Sequence, residues 1–127
     1  MSWSNQRIAI LALLTAYKEV PDNKTIEESA QTYKKNGFTL KYTGSGSSTQ
    51  YVSNGIAFTN VCELKIIFEN NLASERNINA DTFINLQKSI AALSGFKGFN
   101  DERSFEDFDD KHTIGKMNFE IGIEGSC

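Results

Sequence analysis

Residues Ile56 to Glu69 restrict the possible fold more than any other stretch of the chain. The even positions are Ile56, Phe58, Asn60, Cys62, Leu64, Ile66 and Phe68, and six of these seven are apolar. The odd positions, Ala57, Thr59, Val61, Glu63, Lys65, Ile67 and Glu69, are mixed and include three charges. A period of two buries one side of a β-strand and wets the other. The β-branched and aromatic content favours the same state. At roughly 3.3 Å per residue the stretch would run about 46 Å, longer than most strands, so a bend or bulge is expected near Thr59-Asn60. Asn60 is the one polar side chain expected to face inward.

A second amphipathic strand is expected over Ile114–Ile123, where Met117, Phe119, Ile121 and Ile123 alternate with Asn118, Glu120, Gly122 and Glu124. It is the natural ladder partner of Cys62–Phe68. Phe38, Leu40 and Tyr42 make a shorter strand, and Thr49–Val52 another. Between these two, Gly44-Ser45-Gly46-Ser47-Ser48 reads as a flexible loop rather than a phosphate nest, because it does not lead into a helix. Ser53-Asn54-Gly55 is a hairpin signal.

Three helices are expected. The first runs from a Ser4 cap to about Val20, is apolar around most of its circumference, and stops at Pro21. The second opens on the capping box Thr25-Ile26-Glu27-Glu28 and runs to Asn36, with Gly37 as a left-handed stop. The third runs from an Asn79 cap through Ser94 to Gly95, its stripe being Phe83, Leu86, Ile90 and Leu93. The 127 residues suit one domain. The expected fold is α+β in the order α-α-β-β-β-α-β. An antiparallel, meander-containing sheet of about four strands carries about three helices mainly on one face.

Few chemistries survive inspection. There is one histidine, His112, and it stands outside any nucleophile elbow or HExxH pattern. It reads as a solvated loop residue after an acidic run. Asp107, Asp109, Asp110 and His112 lack the glycine and glutamate of a calcium loop, so no metal is expected. No cofactor signature is present, and an enzyme is not expected. Cys62 lies on the apolar parity of the long strand and reads as a small buried hydrophobe. A disulfide to Cys127 is less favoured than a reducing, cytoplasmic setting. Ile8–Leu14 is too short to span a bilayer, so no membrane contact is expected. Two short helices around Pro21 invite a helix-turn-helix, but the chain is acidic and helix 2 has no basic run, so nucleic acid is not expected to bind directly.

One decapeptide stands out. Asp101 to Asp110 holds six of the chain's 16 acids and one of its 13 Lys and Arg residues, leaving the remainder at +2 while the whole is −3. Phe105 and Phe108 sit among the acids. If one of them docks on the core, the segment is pinned and Asp101, Glu102, Glu106, Asp107, Asp109 and Asp110 are held outward. Such a patch with aromatic anchors suits a basic protein partner. The alternative is a solvated connector. The function expected is that of a non-catalytic protein-binding domain, concretely a bacterial immunity or antitoxin protein that neutralises a basic nuclease toxin. Two others stay open. One is a small dimeric secretion-type chaperone joined through helix 1. The other is a small-molecule-binding protein or enzyme with a pocket between sheet and helices at Tyr17, Tyr42 and Asn60. The chain is expected to be a monomer or a homodimer.

Overall fold

The computed structural model describes residues 3–21, 24–29, 36–52, 55–100 and 103–122, with 45–52 and 55–58 described through their backbone pairing. In chain order the elements are α1 (Trp3–Ala12), β1 (Lys18–Glu19), α2 (Ile26–Ser29), β2 (Gly37–Val52), β3 (Gly55–Glu69), α3 (Ala73–Ala91), β4 (Phe96–Phe99), β5 (Ser104–Asp109) and β6 (His112–Gly122). The fold is α+β. The sheet has six strands rather than four and is mixed rather than antiparallel: β1-β2-β3-β6-β4 run side by side, and β5 also pairs with β6. The single parallel pairing among them is β1 with β2.

The long alternation sets the frame. β3 pairs with β6 in unbroken antiparallel register from Thr59↔Gly122 to Glu69↔His112, with Cys62 opposite Phe119 and Phe68 opposite Thr113. There is no bulge at Thr59-Asn60. Two irregularities fall on the partner strand β2, between Tyr42 and Gly44 and between Ser47 and Tyr51; at the first, Gly44 takes φ +147 and the extra residue, Thr43, bonds Val61 through its hydroxyl. Gly44–Ser47, most of the expected loop, is paired strand, and β2 runs on past it to pair again at Tyr51. Pairing supplied by β3 outweighs the weak strand propensity of Gly and Ser. The pairing closes at Val52↔Gly55, as the Asn-Gly signal predicts; the turn residues 53 and 54 lie outside the described residues.

The even face of β3 carries the main core. Cys62, Leu64, Ile66 and Phe68 pack with Met117, Phe119 and Ile121 of β6, with Ile10 and Leu14, and with Phe83, Leu86 and Ile90 of α3. A second, smaller cluster joins Val20, Ile26 and Ile67 on the other side of the sheet. This second cluster explains why α1 is short. Leu13 and Leu14 donate to Ile10 and Leu11 in a tight turn, and the chain then extends at the sheet edge so that Val20 reaches the far face. Pro21 therefore stands two residues past β1, after a Val20 whose amide bonds the Phe38 carbonyl, rather than ending a helix. The capping bond of Thr25 to the Glu28 amide is present at 3.1 Å. Residues 30–35 lie outside the described residues, and the left-handed position falls on Asn36, φ 57, not on Gly37.

The third helix starts six residues before its expected cap. Asn79 is inside α3, its amide donating to the Glu69 carbonyl and to Asn70 Oδ1, while Leu72 stands at the N-cap without a side-chain bond. Gly95 does end the helix region in a left-handed conformation, φ 84. Asn60 is buried, and its amide donates to Gln6 Oε1 at 2.6 Å, while Gln6 Nε2 donates to the Gly122 carbonyl at 2.8 Å. Its inward slot is thus satisfied from α1, as a buried amide requires. Cys62 is a free, fully buried thiol whose pKa is pushed up to about 12 by burial.

Candidate functional site

Within the acidic segment, Ser104–Asp109 is a strand rather than a connector. β5 pairs antiparallel with β6, from Ser104↔Lys116 through Phe105↔Gly115 and Glu106↔Ile114 to Asp107↔Thr113, and closes on Asp109↔His112. Pairing puts alternate residues on opposite faces of the sheet. Phe105 lies on the core face, where its ring centroid is 5.8 Å from those of both Phe68 and Phe83. Gly115, directly across, makes this possible: a Cβ there would meet the Phe83 ring at 2.7 Å. The Arg76 guanidinium of α3 lies 5.3 Å above the Phe105 ring, and its Nε donates to Asp107 Oδ1 at 2.8 Å. One aromatic anchor and one arginine thus clamp the strand to the body.

The turn is organised by Asp109. Its Oδ1 accepts the Lys111 backbone N–H and His112 Nδ1, each at 2.8 Å. Those two bonds, the backbone one first, hold its carboxyl below the ordinary carboxylate value. His112 is 6% exposed, a correction to its expected place in a solvated loop. It heads β6, opposite Glu69, and its Nε2 lies 4.0 Å from Glu69 Oε2 without a hydrogen-bond partner. With Nδ1 donating to a carboxylate, Nε2 holds the lone pair in the neutral ring.

Of the eight residues singled out from sequence, Asp101 and Glu102 lie outside the described residues. The other six fall into three groups. Phe105 is half-buried as the anchor. Glu106 is exposed on the face opposite α3, beside Lys65, Lys116, Arg103 and Glu27 of α2 in a groove of about 540 Å³. Asp107, Phe108, Asp109 and Asp110 are exposed and gather around a cleft of about 480 Å³ whose other wall is Asn70–Ala73 and Arg76, at the start of α3. Phe108 and Leu72 are 42% and 65% exposed there. Leu72 and Arg76 were missed. An isolated leucine in a polar stretch hinted at the first, whereas nothing local marks an arginine thirty-one positions before its partner.

The alternative pocket residues are otherwise engaged. The Asn60 amide is taken by Gln6, Tyr42 lies tilted on Trp3 at 5.6 Å between ring centroids, and Tyr17 packs against the main core. Among the described residues no three His, Cys, Asp or Glu side chains are placed to hold a metal ion, and no helix is long and apolar enough to cross a membrane. In comparisons with known proteins, no family model matches the chain, and no curated protein is similar to it in sequence.

Proposed function

We propose that this is a non-catalytic protein-binding domain whose β5–β6 hairpin takes a basic surface of another protein. The observation that carries the reading is the clamp on Phe105. It fixes the strand, and Asp107, Asp109 and Asp110 line one cleft together with the exposed Phe108 and Leu72. Fixed acids around exposed apolar side chains suit fast electrostatic encounter followed by burial of an anchor. The concrete form we favour is an immunity or antitoxin protein that occupies the basic, phosphate-gripping surface of a nuclease toxin. What supports it is the sign and compactness of the patch, together with a chain that offers neither a nucleophile elbow nor a metal cluster among its described residues.

The test uses paired baits in affinity purification: the wild-type chain and an E106Q/D107N/D109N/D110N variant. A basic protein retained by wild type at low ionic strength, released at high ionic strength, and retained about tenfold less or worse by the variant supports the proposal. Equal retention by both baits, insensitive to salt, would overturn it.

A further inference from the structure

The hairpin that carries the acids closes on a buried imidazole. Among the described residues, His112 Nε2 is the one buried side-chain nitrogen or oxygen without a hydrogen-bond partner. A buried polar atom left unpaired costs stability and calls for an explanation.

The ring stands between two carboxylates. Asp109 Oδ1 takes Nδ1 at 2.8 Å on one side, and Glu69 Oε2 lies 4.0 Å from Nε2 on the other, too far for a hydrogen bond. The backbone around them is fixed. Glu69 is paired with His112, the Asn79 amide donates to the Glu69 carbonyl at 3.1 Å, and the Asn70 N–H donates to the Lys111 carbonyl at 2.6 Å. The Glu69 carboxylate is held more loosely, by Asn71 Nδ2 at 3.4 Å. A shift of roughly 1 Å about its own side-chain bonds brings Oε2 within hydrogen-bond reach of Nε2. What such a bond needs is a proton. The neutral ring donates from Nδ1 and turns a lone pair toward the lone pairs of Glu69, whereas a ring that has taken a proton from solvent donates from both nitrogens.

We propose that His112 is a proton-operated latch: a second proton on its ring draws the Glu69 carboxylate onto Nε2 and ties the end of β3 to the β5–β6 turn, and loss of that proton releases the tie. Around these three groups stand Asp110 and Lys111 of the turn, and on β5 Asp107, which Arg76 of α3 pairs at 2.8 Å. Asp109 stays charged to low pH, because the Lys111 amide and then the His112 ring hold its carboxyl below the ordinary carboxylate value. The sign follows. The tie is present while the ring is charged and is lost as pH rises. It lies within one chain, so it operates with or without a partner.

Ring-nitrogen NMR on the full chain tests this, and the single histidine makes the signals unambiguous. Backbone amide exchange, corrected for its intrinsic pH dependence, is compared at about pH 5.5 and about pH 8, either side of the range in which imidazoles ordinarily titrate. We expect a neutral ring protonated on Nδ1 at the higher pH, and a second, slowly exchanging proton on Nε2 at the lower. Amides of 69–71 and 109–113 should exchange about tenfold more slowly at the lower pH. Glu69→Ala should abolish that difference with unchanged circular dichroism. A neutral ring protonated on Nε2 overturns the proposal, as does a folded chain whose ring stays neutral at the lower pH. So does a second proton that brings no added amide protection, or a protection difference that survives Glu69→Ala. The wild-type measurements decide the matter alone if the variant does not fold.

Discussion

Gly115 is the position where a single atom decides how β5 is seated. A Cβ would stand 2.7 Å from two carbons of the Phe83 ring, closer than van der Waals contact permits. Phe83 cannot simply swing aside, since it is wedged between Phe68 and Phe105. Gly115→Ala should therefore destabilise the domain by about 1–3 kcal/mol, as overpacking does, and combining it with Phe83→Leu should recover part of the loss; urea titrations of the single and double variants check both. Asp109 makes a second prediction at this scale. Its carboxyl titrates below the ordinary value because the Lys111 amide and the His112 ring bond its charged form. Its contribution to the turn is thus complete above the ordinary carboxylate value and is lost as pH falls through the lower, folded one. Carbon-detected titration should place the Asp109 midpoint below that of a peptide aspartate, and Asp109→Asn should leave the Lys111 and His112 amides exchanging faster at neutral pH. A midpoint at the peptide value would remove this account of the turn.

Among the elements, β5 is the one whose existence depends on tertiary contact. Its sequence, Ser-Phe-Glu-Asp-Phe-Asp, spaces the two aromatics three apart and surrounds them with acids, so no period of two is visible. Pairing with β6 and one docked ring make it a strand. Phe105→Ala should cost about 2–4 kcal/mol and should accelerate amide exchange across 104–112 more than in the β3–β6 ladder; uniform acceleration would mean the hairpin is not a separate unit. The same reasoning explains what was legible and what was not. β3 and β6 could be read because each buries one full parity, and Asn60 could be placed inward by parity alone. α1 was read too long because Leu13, Leu14, Tyr17 and Val20 look like one apolar helix, whereas Leu14 and Val20 belong to different faces of the sheet. Asn79 was read as a cap because asparagine favours that position, yet it serves as a tie from inside α3 to the end of β3. The Phe105 anchor of the candidate site was foreseen as a condition; the Asp109–His112 turn was not, since only the close of the hairpin brings that carboxylate and that imidazole together.

On the scale of the whole molecule, β3 acts as a spacer between two surfaces. Its first residues pair with the uncharged end of β2, at Gly55↔Val52, and its last, Glu69, lies beside His112 at the acidic turn. At roughly 3.3 Å per residue the two ends are about 46 Å apart, several Debye lengths at physiological salt. Charges placed at one end should hardly be felt at the other. The unbroken β3–β6 register from Thr59 to Glu69, with the fully buried Leu64, Ile66 and Met117 along it, gives the spacer no hinge through which a change at one end could shift the other. A pair of charges introduced at the uncharged end, S48K/Q50K, should then leave salt-dependent partner binding at the acidic turn unchanged. A double-mutant cycle that combines S48K/Q50K with D107N/D109N/D110N, with partner binding measured on all four combinations, should be additive to within about 0.5 kcal/mol. A larger coupling would mean that the two surfaces overlap or that the sheet transmits strain between them, and it would identify the β3–β6 ladder as the first place to look for a second conformation.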